Sequence, residues 1–87
     1  MTISREAFLR SLPAAVGNVA FDVSADESSH RDRERSWRIV HTSLPDLKLG
    51  MITLPRQRVE VFLTGFDEAG VRGFLDRFEL YFRRAGG

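Results

Sequence analysis

Apolar and polar residues alternate along this chain in two different periods, and each change of period marks an element. Ile3, Phe8, Leu9, Leu12, Ala15 and Val16 recur at helical spacing around Ser4, which is placed to cap a helix, with Glu6 in its first turn. Ile3 and Phe8 take the staple positions on either side of that cap. Pro13 has no backbone donor and disfavours helical geometry at Leu12, so a kink or restart is expected before an end at Gly17. Val19, Phe21 and Val23 then alternate with Ala20, Asp22 and Ser24, the pattern of a first strand with one buried face. Residues 24–35 contain no large apolar side chain and mix both charge signs, so residues 25–35 are expected to form a charged flexible loop.

The strand period returns at residues 37–44, with Trp37 and Ile39 on one face and Arg38, Val40 and Thr42 on the other, before a Pro45-Asp46 turn signal. Residues 47–54 read as a short strand broken at Gly50, and Pro55 suits an edge. Across residues 56–64, Val59, Val61 and Leu63 point one way, while Arg56, Arg58, Glu60, Phe62 and Thr64 point the other. Asp67 as N-cap and Glu68 in the first turn open a final helix, which directs Val71, Phe74, Leu75, Phe78, Tyr81 and Phe82 inward. Arg83 and Arg84 suit the negative end of its dipole. Gly70 and Gly73 lie inside this helix at a cost of about 1 kcal/mol each relative to alanine, and Gly73 is expected to mark a close packing contact.

This order predicts an α+β two-layer sandwich: an antiparallel sheet of three or four strands with the N- and C-terminal helices on one face (α-β-β-(β)-β-α). A chain of 87 residues supports a single domain over residues 1–87, with a frayed tail at 85–87. At 43% hydrophobic and 29% charged residues, the composition is that of an ordinary globular domain. The absence of cysteine removes disulfides, thiolate nucleophiles and cysteine metal sites. Thirteen basic residues against twelve acidic ones leave +1, so no global field draws in nucleic acid or an anionic membrane. The N-terminus lacks a signal-like apolar run and no membrane-length apolar stretch follows, so the expectation is a cytoplasmic protein.

Candidate chemistry is sparse. The chain has no GxGxxG, GxxxxGK[ST], HExxH or GxSxG pattern, so no cofactor is expected and an enzyme is disfavoured. His30 falls in the charged loop and His41 on the parity of Trp37 and Ile39, where a satisfied structural histidine is the ordinary occupant. Asp26, Glu27, His30, Asp32 and Glu34 offer metal-ligating atoms without EF-hand spacing and among repelling arginines, so no metal is expected. The helix, three strands, helix order resembles that of the double-stranded-RNA-binding domain. That resemblance implies a phosphate-holding lysine cluster at the start of the second helix, where this chain has Asp67-Glu-Ala-Gly-Val-Arg72. The terminal Gly86-Gly87 resembles the tail of ubiquitin-like sulfur carriers, which implies a carboxylate activated for transfer. A helical stripe running to Phe82 leaves that tail little reach, and glycine is an ordinary helix stop.

The expected function is therefore that of a binding or accessory module. Two helices cover one face of the sheet and leave the other open, with Phe62, Val40, Arg38, Arg56 and Arg58 on it. Self-association as a homodimer or a protein partner on that face is the first expectation. The alternative is nucleic-acid binding, with Phe62 stacking on a base while the arginines meet the backbone. A diglycine carrier or a small enzyme ranks below both.

Overall fold

The computed structural model describes residues 1–85. In chain order the elements are helix α1 (Arg5–Ala15), strands β1 (Asp22–Val23), β2 (Glu27–Arg31), β3 (Ser36–Leu49) and β4 (Ile52–Thr64), and helix α2 (Glu68–Ala85). The four strands form an antiparallel meander in the order β1-β2-β3-β4. Both helices pack on one face of it, so the fold is the expected α+β sandwich with four strands. Ala85 is the last residue of α2; the rest of the 85–87 tail and the terminal diglycine lie outside the described residues.

Helix α1 begins where Ser4 Oγ accepts the Ala7 amide at 3.1 Å. It runs through Pro13 without a restart, because a proline in the last turn forfeits only one backbone bond. Gly17 and Asn18, at φ 85° and 60°, then turn the chain out of the helix, and the Asn18 amide donates to the Pro13 carbonyl at 2.8 Å. That turn shortens the expected first strand to Asp22–Val23. Phe21 alone packs inward, its ring 5.5 Å from that of Trp37, while Val19 and Val23 are 37% and 51% exposed.

The expected charged loop is corrected in its centre, where residues Glu27–Arg31 form β2. This strand has no large apolar residue, and its stability comes from the backbone ladder that pairs Glu27 with Val40 and His30 with Trp37. Ser28, small enough to lie beneath α1, is fully buried opposite Ile39.

The ambiguous stretch 47–54 is the far end of one long β3–β4 hairpin. Its turn is Gly50-Met51, with positive φ (60°) only at Gly50, as a type II′ turn requires. Pro45-Asp46, expected to be a turn, is instead a β-bulge: the pairing steps from Leu44↔Arg56 to Leu47↔Leu54, placing one additional residue on β3. At roughly 3.3 Å per residue β4 spans about 40 Å, against about 27 Å for α2 at 1.5 Å per residue. The hairpin therefore overhangs the helices as an arm, and the molecule is 48 Å long.

Phe8 and Leu12 of α1, Trp37 and Ile39 of β3, and Phe78 and Phe82 of α2 form the core. The Phe8 and Phe82 rings stack at 4.8 Å. Burying each such side chain stabilises the fold by about 1.5–3 kcal/mol. Asp67 caps α2 as expected, its Oδ1 accepting the Gly70 amide at 2.7 Å. Two expectations for α2 are corrected. Leu75 is 40% exposed on the flank nearest β4 rather than buried. Gly70, not Gly73, is the crowded glycine: a Cβ there would meet Asp67 Oδ1 at 2.9 Å, whereas nothing lies within 4 Å of one at Gly73.

Candidate functional site: the uncovered sheet face and its arm

Strand alternation sorts the hairpin into two faces. Trp37, Ile39 and His41, with Gln57, Val59, Val61 and Leu63, face the helices. Arg38, Val40 and Thr42 of β3 pair with Phe62, Glu60 and Arg58 of β4 on the opposite, uncovered face, and Arg56 continues it opposite Leu44. The candidate residues Phe62, Arg58, Arg56, Arg38 and Val40 thus share one face. Between β2 and β4 that face forms an open concavity of about 710 Å³, bordered by Glu27, Arg31, Arg38 and Phe62.

Each of the three arginines has a partner within the chain. The Arg38 guanidinium lies 4.5 Å above the Phe62 ring, and its Nη1 is 3.1 Å from Glu27 Oε1. Arg58 Nε lies 3.4 Å from Glu60 Oε1, and Arg56 Nε donates to the Pro45 carbonyl at 2.9 Å. Exposed ion pairs contribute about 0–1 kcal/mol and an exposed cation–π contact about 0.5–1 kcal/mol, so these contacts order the face more than they stabilise the fold. Phe62 remains 43% exposed within this polar frame.

The larger apolar signal lies along the arm. Paired residues of an antiparallel ladder share a face, and β4 keeps its alternation past the bulge, so Ile52 and Leu54 fall on the face of Arg56 and Phe62. Their partners Leu49 and Leu47 fall there too, continuing from Leu44. Lys48 and Thr53 take the other side. Leu49 and Ile52 are 55% and 59% exposed, and Met51 at the tip is fully exposed. Phe62 follows from strand alternation alone, whereas this patch does not. The apolar residues were visible, but simple alternation through Pro45-Asp46 scatters them over both faces.

Neither histidine forms part of this face. His30, expected in a loop, lies in β2 and turns toward the helix side, its Nδ1 2.7 Å from the Ala20 carbonyl. His41 is 2% exposed, its ring 5.1 Å from that of Phe8 and its Nε2 3.3 Å from Ser28 Oγ. Among the described residues, its Nδ1 and the buried Gln57 Oε1 have no hydrogen-bond partner. Burial holds the His41 pKa below its ordinary 6.5, Arg5 lowers it further, and Asp26 opposes both. A ring sealed under Phe8 meets no solvent-borne substrate, so His41 is a core residue. Among the described residues, no three His, Asp or Glu side chains gather into a ligand set, and no helix is long and apolar enough to cross a membrane.

The fold and this face define a small α+β domain with a one-sided, overhanging hairpin. Comparison with known proteins gives no matching family model, no matching curated protein and no matching solved structure.

Proposed function

We propose that this protein is a binding module that takes another protein surface, a second copy or a different chain, on the uncovered face of its β3–β4 hairpin. The observation that carries this reading is the row Leu44, Leu47, Leu49, Ile52 and Leu54 on one face of an arm that no helix covers. An isolated exposed leucine needs no explanation, but a contiguous strip with a polar border is the pattern of an interaction site. Phe62, Arg38 and Arg58 extend the strip into a polar rim. The nucleic-acid alternative draws less support, since Arg38, Arg56 and Arg58 are each engaged and Glu27 and Glu60 lie among them.

A photo-reactive side chain at position 49 tests the reading in cells. A discrete covalent adduct is expected, lost when Ile52→Asp or Phe62→Ala is added. An adduct of twice the 9.9 kDa chain identifies a second copy, and any other single mass identifies another protein. No adduct, or equal labelling from the same group at exposed position 33, overturns the proposal.

A further inference from the structure

The outer edge of β4 carries a second, independent surface. β4 is the last strand of the sheet, and only one side of it is paired. The direction of its backbone groups follows from two contacts. The Gln57 amide donates to the Met1 carbonyl at 2.8 Å, and the Met1 amino group donates to the Gln57 carbonyl at 2.9 Å, so both Gln57 groups point away from β3. The His41 amide points toward β2, where it donates to the Asp26 carbonyl at 2.8 Å, so its pair with Val59 is a non-hydrogen-bonded one and Val59 also points outward. The ladder is regular from Arg56 to Thr64, which carries the same direction to Val61 and Leu63. Pro55 shares that parity, so its missing donor falls on the unpaired side, where proline is tolerated. Among the described residues, no backbone hydrogen bond meets Val59, Val61 or Leu63 from outside.

We propose that two copies of this chain pair their β4 edges antiparallel about a two-fold axis at Val61, joining two four-stranded sheets into one. The register is restricted. Met1 occupies the edge at Gln57, and centring on Val61 uses only the free stretch: Val59 faces Leu63 of the second copy, Val61 faces its own equivalent, and Leu63 faces Val59. Each pair exchanges two backbone bonds. A two-fold contact must be self-complementary, and an antiparallel edge centred on one residue satisfies that condition.

Side chains beside the edge supply the remaining contact. A groove of about 570 Å³ runs along it between Val59 and Val61 of β4 and Leu75, Phe78 and Phe82 of α2. Strand addition gains affinity from main-chain bonds and from such a groove together. The axis that centres Val61 also faces the exposed Leu75 flank of α2 toward its equivalent, and it sets Arg72 against Glu79 of the second copy. A stable interface needs roughly 800 Å² from each partner, a modest share of the 6123 Å² surface.

This dimer leaves both arms and both uncovered faces free, and it does not depend on the protein-binding reading above. Sedimentation equilibrium is expected to give twice 9.9 kDa for the unaltered chain. Val61→Pro, which removes an outward donor, and Leu75→Arg, which sets like charges against each other at the axis, are each expected to give the single-chain mass with unchanged circular dichroism. The Val61 amide is expected to exchange slowly in the unaltered chain and fast in Leu75→Arg. A single-chain mass for the unaltered protein overturns the proposal, as does a dimer whose Val61 amide exchanges freely or which survives Leu75→Arg. Adducts formed from position 49 are expected to persist in Leu75→Arg, so either proposal can fail alone.

Discussion

Acid should destabilise this fold through His41 in particular, and the size and direction of the effect follow from its surroundings. The ring is 2% exposed, packed against Phe8, and held below its ordinary pKa of 6.5 by burial and by Arg5. In the unfolded chain the same ring takes a proton at about pH 6.5. The unfolded state therefore binds more protons than the folded one between pH 6.5 and the lower folded-state pKa. Stability is complete above that window, falls by about 1.4 kcal/mol per pH unit within it, and falls no further from this source below it. Urea unfolding followed by fluorescence is a suitable assay, because Trp37 is the sole tryptophan and is 4% exposed. His41→Gln removes the titration and keeps a polar side chain near Ser28. It should lower stability by about 1–2 kcal/mol at neutral pH and remove the loss that sets in as pH falls through about 6.5. Stability that does not fall as pH drops below about 6.5 in the unaltered chain, or an equal fall in His41→Gln, would refute the reasoning.

Two glycines give opposite expectations. Gly65 holds φ 79°, and a Cβ there would run into the Glu34 carbonyl, so Gly65→Ala adds backbone strain of about 1–2 kcal/mol to a displaced 32–35 turn; a thermal midpoint unchanged within error would contradict this. Gly73 sits inside α2 with open space for an added methyl, so Gly73→Ala should stabilise by about 0.5–1 kcal/mol. A lower midpoint for that variant would show a contact absent from the structure.

The parts of the fold that sequence patterning captured are those in which burial sets the pattern. Trp37, Ile39 and the Val59, Val61, Leu63 row alternate because one side faces Phe8, Leu12 and Phe78, and the face assignment of all five candidate residues followed from that alternation. The Ser4 and Asp67 caps were legible for a local reason, since each side chain bonds its own helix. β2 was not legible. Its residues Glu27–Arg31 carry no hydrophobic period, and the strand exists because β3 offers a backbone edge, a non-local cause. Val19 and Val23 misled in the reverse direction: their alternation is genuine, but the left-handed pair Gly17-Asn18 steers them to the surface. At the candidate site, Phe62 and its arginines could be read from period alone, while the arm required the bulge.

That bulge absorbs a difference of one residue in length between the two strands of the arm. Leu47 and Leu49 share a face with Leu44 only because Pro45 and Asp46 together oppose the single residue Pro55. Deleting Asp46 would leave one residue on each strand at that point, so plain alternation would keep both leucines on the face of Leu44 and the strip would survive without the bulge. A single-codon deletion at this point therefore spares the strip and the core alike, and alters only the bend and twist that the bulge gives the arm.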